Sequence, residues 1–201
     1  MPQAFKLPSG AEGASVADFS ALGPLEGPAV GLISLLTKQA RQANLARHLD
    51  TLKGTIYEPA AQAAAKRWPR VFGHIGSVST GRLKGTAGTF APDRAQVGAP
   101  YRRGHPVGDI ELKQPGLLDR LLGGPKQAAD TLGHELTHGA QALMKRPGRF
   151  TQQYQAAEQA LGYADNPYEL GAQKGGAHLQ QLLDSNAPVR SALSRKVRNG
   201  R

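Results

Sequence analysis

The apolar positions of this chain change period twice. From Gly31 to Lys53 the residues Leu32, Leu35, Leu36, Ala43, Leu49 and Leu52 recur at helical spacing, and Gly54 closes the run. A second helix is predicted from Glu58 to Trp68, stopped by Pro69. The segments "VFGHIGSVST" and "LKGTAGTFAP" are short, β-branched and punctuated by glycine, which predicts two strands joined by a turn at Thr80-Gly81. "GDIELK" (108–113) alternates, with Ile110 and Leu112 on one face and Asp109, Glu111 and Lys113 on the other, as a half-buried strand does. Between these segments "RAQVGAPYRRGHPVG" is an Arg-rich loop. Helical spacing then returns: Pro125 opens a helix that runs to Lys145, "RPG" breaks it, and further helices fit 151–161 and 167–184.

The ends differ from the middle. Residues 1–30 are mostly Gly, Pro, Ala and Ser and cannot bury enough apolar surface to fold alone, so they are expected to be a flexible or partner-bound arm. The last segment, "PVRSALSRKVRNGR", has five basic residues and no acid, which suits a solvated tail or a docking arm for an anionic surface equally. The expected organisation is an arm (1–30), one domain (31–186) and a basic tail (187–201). Within that domain a helical part (31–69) precedes the sheet (70–115) and a second set of helices (125–184). A chain of 201 residues is long enough for one such core.

Composition narrows the chemistry. With no cysteine there is no disulfide, no thiolate metal site and no thiol nucleophile, so a metal would have to sit on histidine and carboxylate. The longest nearly apolar stretch, "GPAVGLISLL", is about half of a membrane span and lacks the flanks of a secretory signal. A soluble chain is expected, either cytoplasmic or virion-associated. A net charge of +10 favours contact with a polyanion or an acidic assembly. Aromatic residues are only 5%, and no recognition helix or stacking run points to sequence-specific nucleic-acid binding.

The chemistry concentrates in "HELTH", residues 134–138. Positions i and i+4 of a helix lie nearly above one another, so His134 and His138 can present both imidazoles to one ion. Glu135 is rotated off that line, within reach of a water between them and badly placed to be a ligand, which suits a general base. The surrounding Ala128, Ala129, Leu132, Leu136, Ala140, Leu143 and Met144 make the helix largely apolar. Burying these polar groups without partners would cost several kcal/mol, roughly, and a metal would satisfy them together. The alternative is a pair of core histidines bonded to backbone carbonyls beside a surface glutamate.

A catalytic zinc site usually takes three protein ligands. The positions that would extend the motif to HExxHxxGxxH hold Gln141 and Met144, which excludes that arrangement. Glu169, in "NPYELGAQ", is the better candidate. Asn166 can cap a helix, Pro167 suits its first turn, and Glu169 falls at the third helical position. The same spacing is a capping box, in which the glutamate only folds back onto the cap. Local sequence leaves both open.

With "HELTH" (134–138) and "NPYELGA" (166–172) together, the chain resembles the zincin metallopeptidases, specifically the compact gluzincin-like families. Glu169 followed by Ala172 is similar to the E-x-x-A spacing of those families. The resemblance covers roughly residues 70–184. It implies an α+β fold in which a small, twisted, mainly antiparallel sheet packs on an active-site helix, with additional helices and irregular termini. It also implies one zinc ion per chain on His134, His138 and Glu169, with Glu135 as the base that activates water against a peptide or protein substrate. "GDIELK" resembles the edge strand on which such a substrate pairs, through Asp109, Ile110, Glu111 and Leu112. Tyr163, Tyr168 and His178 are the candidates for transition-state stabilisation. Gln173 stands where some gluzincins carry an acid that holds a ligand histidine; Asp130, one turn before His134, could take that part, although a solvent-facing helix position suits it better. His48, His74 and His105 stand alone and are expected to be structural or exposed. A role from another class is a structural or assembly protein, such as a phage virion component, that keeps the fold and works by binding.

Overall fold

The computed structural model describes residues 28–93, 105–114 and 124–185. Most of the expected N-terminal arm, most of the Arg-rich loop and the basic tail fall outside these residues. The described chain is mixed α+β, with six helices and a three-stranded sheet. Helix α1 (Pro28–Leu52) begins three residues inside the segment expected as an arm, and Gly54 turns the chain after it with φ +74°. Helix α2 (Glu58–Arg67) is followed at once by a short helix α3 (Pro69–His74).

Helix α3 corrects the first predicted strand. Val71 and Phe72 are β-formers, yet Pro69 suits a first helical turn and the Phe72 N–H bonds back to the Trp68 carbonyl at 3.0 Å. Tertiary packing overrides propensity here: Phe72 is fully buried, with its ring stacked 5.3 Å from His48 of α1. His48 donates from Nε2 to the Ile75 carbonyl at 2.9 Å, and His74 donates from Nδ1 to the Arg70 carbonyl at 2.7 Å, so both are structural.

Strands β1 (Ile75–Gly81), β2 (Gly88–Pro92) and β3 (Gly108–Lys113) form a sheet of order β1-β3-β2. Strand β3 pairs parallel with β1 and antiparallel with β2. Two expectations fall with that order. Thr80 and Gly81 belong to β1 rather than to a hairpin turn, and the sheet is mixed rather than mainly antiparallel. A third falls as well: Asp109, Ile110, Glu111 and Leu112 lie on the central strand, with neighbours on both sides, so that strand has no free edge for a substrate. The alternation read from the sequence is correct, for Ile110 and Leu112 are buried and Asp109 and Glu111 exposed. Alternation reports a face, however, and not a place in the sheet order.

Helix α4 (Gly124–Lys145) packs under the sheet. Gly88 of β2 lies so close to it that a Cβ there would stand 2.8 Å from Thr131 Cγ2 and 3.0 Å from Glu135 Cγ. Arg146, in the left-handed region at φ 71°, turns the chain into α5 (Pro147–Leu161). Gly162 ends α5, and Asn166 caps α6 (Pro167–Ser185) by accepting the Tyr168 N–H at 3.0 Å on Oδ1. The same side chain donates to the Tyr154 carbonyl at 3.4 Å and so ties α5 to α6.

Helices α4 and α6 meet through small residues. A Cβ on Gly133 would lie 2.7 Å from the Gly175 carbonyl and 2.9 Å from Gly176 Cα, and Ala172 is fully buried beside them. Gly133→Ala weighs two opposed effects. Helix propensity alone would gain about 1 kcal/mol, while forcing a methyl against rigid backbone costs about 1–3 kcal/mol. The clash is against main chain, which cannot rotate away, so the expected outcome is net destabilisation, read as a lower urea midpoint. A raised midpoint would show that the two helices are free to spread.

Candidate metal centre

This helix contact decides what the histidines face. His134 and His138 lie one turn apart on α4, and Glu169, in the first turn of α6, is brought against both. His134 Nε2 stands 3.2 Å from His138 Nε2 and 3.3 Å from Glu169 Oε2, and His138 Nε2 stands 3.3 Å from Glu169 Oε1. Atoms held about 2.0–2.1 Å from a shared ion at tetrahedral angles are roughly 3.3 Å apart, so these spacings are those of a ligand set. Glu169 is 2% exposed, and its Oε2 has no hydrogen-bond donor. The donor set and this orphaned oxygen fit a divalent metal ion, and His134, His138 and Glu169 are the group that could hold one.

The capping-box alternative for Glu169 is not what forms. The N–H of Asn166 bonds to the Tyr163 carbonyl at 3.3 Å, and the Glu169 carboxylate turns inward. Tyr154 of α5 donates its hydroxyl to Glu169 Oε1 at 2.5 Å. Burial pushes the Glu169 carboxyl upward, but hydrogen bonds from His138, Tyr154 and Tyr163 win and hold it down at about 2. The carboxylate is an anion in a dry place. Its neighbours respond in opposite ways: burial keeps the His134 imidazole below its ordinary range, while for His138 burial is overridden by Glu169, which leaves that ring above its ordinary range. A fixed negative charge between two imidazoles draws a cation, whether proton or metal.

The residue that orients His138 is Gln141. Its Nε2 donates to the Tyr168 carbonyl at 3.0 Å, which fixes the amide so that Oε1 accepts from His138 Nδ1 at 3.0 Å. Nε2 of His138 is thereby the atom that faces Glu169, a donor to the carboxylate while the ring is protonated and a lone pair for a metal once it is not. Gly171 leaves room for this amide, since a Cβ there would stand 2.9 Å from Gln141 Nε2. Neither Gln173, which stands where an acid would, nor Asp130, its candidate substitute, takes this part. Gln173 is exposed, and Asp130 is exposed against Gly176 and reaches His134 only through its charge.

Glu135 is 6% exposed and lines the same cleft of about 370 Å³. Burial raises its carboxyl to about 7, against the opposing pull of His138 and of the Phe90 backbone N–H of β2, which bonds to it. It is not one of the three converging ligands. Of the three stabiliser candidates, Tyr163 lines the cleft, 55% exposed, with its hydroxyl pKa raised by desolvation and by Glu169. Tyr168 and His178 are turned elsewhere. Tyr168 donates to Gln153 Oε1 at 2.9 Å and packs edge-on to Phe150, and the His178 ring rests 5.7 Å from Trp68.

Sequence reasoning missed Gln141, Tyr154 and the Phe90 N–H. A signal existed for two of them. Gln141 is three residues after His138 on one helix, and Phe150 and Tyr154 are four apart, so each pair shares a face. The Phe90 contact depends on sheet order and had no local signal.

Substitution at these positions separates ligand from support. Glu169→Ala is expected to abolish zinc binding, Glu135→Gln to leave one ion per chain, and Gln141→Leu to weaken affinity about 10–100-fold, all read by competition with a fluorescent chelator. Unchanged affinity in Gln141→Leu would mean that the Phe150 and Tyr154 rings alone hold His138 in place. Comparison of the chain with protein-family models, with curated proteins and with solved structures gave no match, so the geometry of the centre itself is what speaks for its chemistry.

Proposed function

We propose that the chain is a zinc-dependent metallopeptidase of the zincin type, hydrolysing peptide bonds in the cleft between β2, α4 and α5. The observation that carries this reading is a division of labour across the α4–α6 contact: His134, His138 and Glu169 converge at 3.2–3.3 Å while a fourth polar group, Glu135, faces the same cleft without joining them. Two histidines and a carboxylate with no sulfur suit zinc best among the common divalent ions. When bound, the ion supplies Lewis acidity, which makes a water more acidic and polarises a carbonyl.

Every other part falls to the protein. Glu135 takes the proton of the attacking water on its carboxylate and returns it to the leaving amine. The Phe90 N–H holds that carboxylate against rotation. Tyr154 keeps Glu169 in place, and Tyr163, whose hydroxyl is otherwise donated to Glu169, turns it to the oxygen on which negative charge grows.

The substrate backbone pairs with β2 and not with β3. Lys113 donates to the Ala87 carbonyl at 2.8 Å and Asp93 to the Val107 carbonyl at 3.1 Å, so the odd-numbered residues of β2 face β3. Antiparallel alternation then points Gly88 and Phe90 outward. Thr86 already caps the Gly88 carbonyl at 2.6 Å, and Glu135 takes the Phe90 N–H. The Gly88 N–H and the Phe90 carbonyl remain to bind an extended peptide, and Pro92, which has no N–H, fits an edge position.

The test is Glu135→Gln against a peptide mixture analysed by mass spectrometry. Hydrolysis is expected to fall by roughly 10²- to 10⁴-fold with zinc content unchanged. Turnover at the wild-type rate in this variant would end the proposal.

A further inference from the structure

We propose that the cleft selects peptides with a lysine or arginine side chain next to the reacting bond, and that Glu158 is the residue that recognises it. This rests on the peptidase reading for the word substrate, though not for the binding itself. The chain as a whole is strongly basic, at +10. The cleft differs: its described lining contains Glu135, Glu158 and Glu169 and no lysine or arginine, and with Glu135 and Glu169 set against a bound divalent ion, Glu158 is the charge in excess.

The three carboxylates are not equivalent. Glu169 is engaged by both histidines and by Tyr154, and Glu135 by the Phe90 N–H. Glu158 has neither a side-chain hydrogen bond nor an ion pair among the described residues. It is the charge left over for a ligand. It also stands in the right stripe, because Thr151, Tyr154, Gln155 and Glu158 all line the cleft and fall at helical spacing along one face of α5. Its charge is felt at both Tyr154 and Tyr163, the two tyrosines that hydrogen-bond Glu169.

The remaining surface suits the stem of such a side chain. Phe150, Tyr154 and Tyr163 give an aromatic wall, along which the methylene groups of a lysine or arginine can lie while the cationic head reaches Glu158. An ammonium or guanidinium over a tyrosine face adds its own attraction. A glutamate side chain at this position of the peptide would meet like charge at Glu158.

The experiment measures binding apart from hydrolysis. Zinc-loaded Glu135→Gln protein is titrated against fluorescein-labelled ten-residue peptides that differ only in one position, Lys, Arg, Gln or Glu, by anisotropy. The Lys and Arg peptides are expected to bind about fivefold tighter than the Gln peptide, the scale of a partly exposed ion pair, and the Glu peptide weakest. Adding Glu158→Gln should remove that preference and Glu158→Lys should invert it, and an exposed position lets both variants fold. No preference for a basic peptide, or a preference that survives Glu158→Gln, overturns the inference. Wild-type protein is then offered the same peptides: Glu158-dependent binding without any cleavage would sustain this inference and overturn the peptidase reading.

Discussion

A buried carboxylate held as an anion between two imidazoles is the constraint on which the rest of this molecule turns. Glu169 could escape the cost of burial by taking up a proton, but His138, Tyr154 and Tyr163 keep it ionised. The charge must therefore be met from across the helix interface. That requires α4 and α6 to approach until Gly133 touches the backbone at Gly175 and Gly176, closer than any larger residue would permit. The apolar stripe of α4, the glycines of α6 and the cap at Asn166 all serve one spacing. The placement of α5 follows as well, since its Tyr154 supplies the hydrogen bond that the carboxylate needs and its Phe150 ring closes on His138 at 6.1 Å.

The sheet contributes through its edge. Strand β2 lies across α4 at Gly88, the position where a side chain would strike Glu135. One strand therefore does two things: its Phe90 N–H fixes the Glu135 carboxylate, and its outer edge borders the space in which that carboxylate works. A strand paired on both sides could not do this. Placing β3 in the middle, parallel to β1, is what leaves β2 outside.

What was legible in the sequence follows from range. The helices could be read because their period is local, and Asn166 could be read as a cap for the same reason. His134 and His138 were legible because helix geometry ties four residues to one direction. Glu169 was legible only as one of two possibilities, since its direction depends on a helix partner 31 residues away that the local pattern does not contain. Strand order was not legible at all. Alternation in "GDIELK" tells which side chains are buried, but both an edge and a central strand of a one-sided sheet alternate alike. Residues 71–74 misled for a related reason: their β-branched and aromatic composition reflects burial against α1, which a helical turn achieves as well as a strand.

The choice of an amide at position 141 has a physical logic. A ligand histidine can be oriented by a carboxylate, which also makes the ring a stronger donor. In this centre a divalent ion of charge +2 would already be balanced by Glu169 and an ionised Glu135. A third carboxylate beside His138, itself only 6% exposed, would leave the buried cluster with a net negative charge and the desolvation cost that accompanies it. Gln141 supplies the same geometry without the charge. Its second hydrogen bond, to the Tyr168 carbonyl, links that geometry to α6, so the residue that aims one ligand also anchors the helix that carries another. The negative charge that the cleft does retain sits further out, on Glu158, where solvent makes it tolerable and a cationic ligand can still reach it.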